Sequence, residues 1–173
     1  MNKILFCMMA LSAMMLLPIT ETPAAADSQT DLALGQRIYR EGILPNGAPL
    51  IGRRNNGVTA QGKDAACENC HRRSGMGGSE GKFLVPSITG PVLFSKPQNL
   101  SPVRPGREPV KIIPLRHLSR AAYDRSTLAH ALRNGIDSSG RPLSNELMPL
   151  FDLDDNAMNV LDAYLRQLSA RAP

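Results

Sequence analysis

Five consecutive residues, Cys67-Glu68-Asn69-Cys70-His71, constrain this chain more than any other feature. They place two thiols three positions apart and an imidazole directly behind them. Residues three apart share one face of a helical turn, so the chain must fold around whatever those thiols hold. The residues far upstream indicate the compartment in which they work. Lys3 gives a positive start, Ile4 to Leu17 is almost wholly apolar, Pro18 breaks the run, and Ala24-Ala25-Ala26 forms a small-residue cleavage pattern. The apolar run is shorter than a membrane-spanning helix needs. The expected organisation is therefore a signal peptide over residues 1–26 and one domain over residues 27–173. The mature chain is expected in the periplasm or otherwise exported, with no membrane span after signal cleavage. Cys7 falls inside the signal, which leaves Cys67 and Cys70 as the mature cysteines.

Three chemistries use such a motif. A thiol–disulfide pair of the thioredoxin kind needs only C-x-x-C, but it belongs with an alternating α/β pattern that this sequence does not display. A zinc site needs two more ligands, for which His117 and His130 are the available histidines. Covalent haem attachment uses the whole motif. The two thiols add to the two vinyl groups on one porphyrin edge, and the adjacent histidine brings its imidazole under the ring to the iron. An export signal ahead of the motif favours this third reading. Cys67 and Cys70 are then the thioether anchors of one haem c, and His71 is the proximal iron ligand.

The opposite iron position has several candidates. Met148 precedes Pro149, and proline biases its predecessor toward extended backbone, which suits a side chain projected from a loop. A thioether opposite histidine raises the reduction potential, as electron carriers require. Met148 is the expected distal ligand. Met76 lies too close behind His71 to reach the other face easily. His117, His130 or an open position remain alternatives.

The rest of the chain suggests helices joined by long loops. Helical patterns cover residues 31–41, 125–134 and 155–169, the last two with Asp124 and Asp154 as N-caps and Gly135 closing the second. Gly35 interrupts the first helix, a cost of about 1 kcal/mol relative to Ala that a close helix crossing would justify. Residues 42–66 read as loop, because Pro-Asn-Gly, Asn-Asn-Gly and Gln-Gly-Lys are turn signals. Residues 83–114 hold seven of the 14 prolines and read as an extended wrap. With no Trp, three Tyr and four Phe, the chain is short of aromatic bulk, which a buried porphyrin would supply. The formal charge is +5, but the basic residues are scattered and lack interleaved aromatics, so nucleic acid is not an expected partner. There is no G-x-G-x-x-G and no Walker A sequence.

Taken together, these segments resemble the class I c-type cytochromes, the monohaem cytochrome c domain of exported bacterial type. The resemblance rests on Cys67 to His71, on Val85-Pro86-Ser87-Ile88-Thr89-Gly90, on Leu143 to Phe151 with Met148-Pro149, and on the final helix with Ala163-Tyr164-Leu165. It spans roughly residues 31–41 and 65–169. It implies an all-α cytochrome c fold, three to four helices wrapped around one covalently bound haem with long proline-rich loops. It also implies that the first and last helices cross near Gly35 and Tyr164, and that the Pro86 backbone carbonyl accepts a hydrogen bond from His71 Nδ1. The implied activity is transfer of single electrons by Fe(III)/Fe(II) cycling, not catalysis by the chain itself. The chain would act as a soluble shuttle or as the electron-accepting partner of a periplasmic dehydrogenase. Its implied partner is a redox protein with an acidic docking face. The alternative is a haem enzyme or gas-binding sensor with an open or displaceable sixth ligand position. Residues 42–66 and 95–120 are longer than the family pattern.

Overall fold

The computed structural model describes residues 23–80, 83–95, 120–144 and 146–169. Most of the expected signal peptide, His117 and much of the proline-rich segment lie outside the described residues.

Helix α1 (Pro23–Glu41) begins eight residues earlier than the sequence pattern suggests. Ala and other good helix formers precede the apolar face and extend the helix. Helix α4 (Arg125–Asn134) has the expected bounds. The Thr127 amide donates to Asp124 Oδ1 at 2.7 Å and the Asp124 amide donates to Thr127 Oγ1 at 2.9 Å, a reciprocal capping box. Gly135 closes α4 with φ 72°. Helix α5 (Asp155–Gln167) starts on its Asp154 cap and stops two residues short of the expected end. Its buried face carries Ala157, Val160, Leu161, Tyr164 and Leu165. Two single-turn helices complete the set, α2 (Glu68–His71) and α3 (Gly90–Leu93).

Helices α1 and α5 pack face to face. A Cβ built on Gly35 would lie 2.1 Å from the Val160 carbonyl oxygen and 2.7 Å from Tyr164 Cβ. Only glycine lets the two backbones approach so closely, which explains the glycine inside α1. One turn on, the Tyr39 and Tyr164 rings stack at a tilt, with centroids 5.4 Å apart. Ile38, Tyr39, Leu50, Leu161 and Leu168 are among the most deeply buried side chains of a single core.

The all-α expectation is not met. The described residues form a mixed α/β structure, with five helices and two small antiparallel sheets. Strands β1 (Ile51–Arg53) and β2 (Thr59–Gln61) form a hairpin within the segment read as loop. Strand β5 (Leu150–Phe151) adds to it in the order β2-β1-β5. Strands β3 (Gly78–Glu80) and β4 (Phe83–Val85) form the second hairpin. The strands are two or three residues long, too short to display an alternating pattern, and Gly and Asn surround them. Their turn signals are real, but they mark the bends of hairpins. Part of the expected wrap is also regular, since β4 and α3 occupy the described start of the proline-rich stretch. Among the described residues, no helix is long and apolar enough to cross a membrane.

Candidate functional site

The Cys67–His71 motif occupies one turn. Cys67 has helical backbone (φ −62°, ψ −33°) and caps α2. The His71 amide donates to the Cys67 carbonyl at 2.9 Å. Cys67 and Cys70 therefore lie on one face of the turn, both free thiols and both half-buried. The two intervening residues tie the turn to the 3-10 turn Gly62–Ala65 ahead of it. Asn69 Nδ2 donates to the Lys63 carbonyl at 2.7 Å, and Lys63 Nζ lies 2.6 Å from Glu68 Oε1.

Arg72 ends the turn abruptly, with φ 64° and ψ 163°. Side chains rarely adopt this region, and such a residue stores about 1–3 kcal/mol of strain. Surrounding contacts impose it. Tyr39 Oη donates to the Arg72 carbonyl at 2.6 Å, and the Gly77 amide donates to the His71 carbonyl at 3.0 Å. The strain turns the chain back so that β3 and β4 can close over His71.

His71 is 9% exposed. Its Nδ1 lies 3.0 Å from the Pro86 carbonyl oxygen, the contact expected between these two residues. A carbonyl only accepts, so Nδ1 carries the proton and Nε2 presents its lone pair. Burial holds the imidazole below its ordinary pKa, against the opposing effect of the Pro86 bond. The ring is thus neutral, oriented and ready to ligate through Nε2, the arrangement that an outer carbonyl imposes on metal-binding histidines.

Gly77 is a site residue that the sequence reading missed. Its φ is 72°, and a Cβ there would lie 2.2 Å from the Val85 carbonyl oxygen and 2.6 Å from that of Pro86. The acceptor of His71 is held against a position that only glycine fits. The glycines following the motif were the available signal, but nothing local shows what they abut.

The Cys67 thiol lacks the depressed pKa of a redox-active cysteine. Burial, with a smaller contribution from Cys70, pushes the Cys67 thiol up to about 12. Disulfide exchange works through cysteines whose pKa is depressed. A zinc cage is no better supported. Among the described residues, no three His, Cys, Asp or Glu side chains gather to hold a metal ion, so Cys67, Cys70 and His71 do not converge on one point.

Met148 sits in a turn whose amide donates to the Ser144 carbonyl at 3.0 Å. It is half-buried and, like Cys67, packs against the buried core. Pro149 and strand β5 follow directly. Two of the other candidate ligands are more exposed than Met148. Met76 is 50% exposed, and His130 is exposed on α4. On the β1–β2 hairpin, Arg54 Nε is buried without a hydrogen-bond partner. A buried guanidinium nitrogen without an acceptor suits a ligand that brings carboxylates. Two thiols followed by an oriented imidazole on one turn are the residues that covalent haem attachment would use. No family model, curated protein or solved structure matches the chain.

Proposed function

We propose that this chain is an exported monohaem c-type cytochrome that transfers single electrons, as a shuttle or as the electron-accepting partner of a periplasmic dehydrogenase. One observation carries the reading. A neutral, buried His71, oriented through Nδ1 by Pro86, follows two free thiols on a single helical turn. Haem c supplies one-electron Fe(III)/Fe(II) cycling when bound.

The residues divide the remaining work. Cys67 and Cys70 anchor one porphyrin edge through thioethers. His71 offers Nε2 as proximal ligand, and Pro86 keeps that ring from rotating. Met148 closes the distal side and excludes water and small ligands from it. A soft thioether there favours the reduced state and raises the potential. Arg54 offers its unpaired Nε to a propionate. The exposed Arg72 and Arg73 beside His71 suit a redox partner with an acidic docking face.

The test is a spectrum of the holoprotein purified after export. Haem is expected to stay with the chain in denaturant, and to be lost from the Cys67→Ala/Cys70→Ala double variant. The Met148→Ala variant is expected to bind carbon monoxide when reduced and to have a lower potential, while His130→Ala leaves both unchanged. A chain that carries no denaturant-resistant haem refutes the reading outright.

A further inference from the structure

The segment that extends the family pattern before the motif is the hairpin that grips the distal loop. The loop has two anchors. Upstream, the Leu143 amide donates to the carbonyl of Gly135, the C-cap of α4, at 2.7 Å. Downstream, β5 pairs with β1, with Phe151 opposite Gly52 and Leu150 opposite Arg53. The Asp152 amide donates to the Ile51 carbonyl at 3.0 Å, and the Arg53 guanidinium pairs with the Asp152 carboxylate. Met148 lies between these anchors, only two residues before the downstream one. Pro149, which separates Met148 from the ladder, has few backbone conformations to absorb slack.

Contact between the hairpin and Pro149 is made at Gly52. A Cβ built there would lie 3.1 Å from Pro149 Cβ and 3.1 Å from Phe151 Cε1. Gly52 has ordinary backbone dihedrals for a strand, so strain does not explain a glycine at this position. Space does: the β1 backbone rests directly on the proline that follows Met148. To admit an added methyl group, the Pro149 ring or the buried Phe151 ring has to give by a few tenths of an ångström. A larger residue at position 52 presses on Pro149, the neighbour of Met148 in the chain.

We propose that the β1–β2 hairpin is a clamp on the distal ligand, with Gly52 as its positioning residue. It acts through Pro149 to keep the Met148 thioether seated. This rests on the reading of Met148 as the distal iron ligand. The clamp sets the fraction of molecules in which the distal position is open, and an added ligand binds only that fraction. Its apparent affinity therefore rises in proportion as the clamp loosens.

Imidazole is a suitable probe, titrated into ferric holoprotein and followed by absorbance. Gly52→Ala is expected to tighten apparent binding several-fold, and Gly52→Val by roughly tenfold or more, which corresponds to about 1.4 kcal/mol. Val58→Ala, at the exposed tip of the same hairpin, is expected to bind as wild type does. Met148→Ala gives the fully open limit. If Met148→Ala binds imidazole far more tightly than wild type while both Gly52 variants match wild type, the clamp is overturned and the ligand reading stands. If Met148→Ala itself matches wild type, the ligand reading falls and takes the clamp with it. Should Gly52→Val fail to mature, the smaller Gly52→Ala carries the same test. General loss of stability would change the denaturation midpoint without this selective gain in affinity.

Discussion

At the scale of single residues, the site depends on conformations that side-chain chemistry alone does not announce. The five motif residues were legible because they are contiguous and their chemistry needs that spacing. Arg72 and Gly77 were not, since their roles come from what the returning chain places beside them. Arg72 holds a glycine-like backbone conformation without being glycine. Arg72→Gly is therefore expected to stabilise the holoprotein by about 1 kcal/mol, after the entropy cost of glycine is set against the relieved strain. Arg72→Ala removes the same side chain but keeps the strained backbone, so it should gain nothing. Equal denaturation midpoints for the two variants would mean that Arg72 is unstrained. The same comparison separates backbone strain from the packing of the Arg72 guanidinium against Gly78.

At the scale of elements, the longer helices announced themselves and the single-turn helices and strands did not. Helices α4 and α5 carry their own start signals in Asp124 and Asp154, and each repeats apolar residues at helical spacing along one face. Asp124 lies below its ordinary value of 3.8, chiefly because the Thr127 amide donates to its carboxylate. A carboxylate with a lower pKa folded than unfolded stabilises the fold above its unfolded value. That contribution is lost as pH falls through the folded value. Acid unfolding followed by circular dichroism should therefore begin at a higher pH in wild type than a charge-independent cap would allow, and Asp124→Asn should flatten this part of the profile. The α1–α5 crossing gives a larger effect. Gly35→Ala gains about 1 kcal/mol of helix propensity, but its methyl group meets the Val160 carbonyl at 2.1 Å. Backbone cannot rotate aside, so overpacking of about 1–3 kcal/mol should prevail toward the upper end of that range. Thermal melts of the holoprotein should show a net loss of stability for Gly35→Ala.

At the scale of the whole molecule, the cofactor and the core are expected to depend on each other. The chain has few aromatics, and the loop bearing Met148, the β1–β2 hairpin and the Cys67–His71 turn pack against one apolar core. Chain that matures without haem should show weak helical circular dichroism and no cooperative melt, while the holoprotein melts as one unit. A cooperatively folded haem-free chain would show that the core forms without it. What the sequence by itself determined was local: the motif, the capped helices, the glycine at the helix crossing and the loop bearing Met148. Each is written within a few neighbouring residues, as periodicity, cap chemistry or fixed spacing. Only the tertiary structure decided that Gly52 lies opposite Phe151, that Gly77 faces the Pro86 carbonyl, and that the chain is mixed α/β. Those pairings join residues from a few to almost a hundred positions apart through strands of two or three residues. Such short strands have no period to read, and backbone pairing is indifferent to side-chain identity until the folded chain brings the partners together.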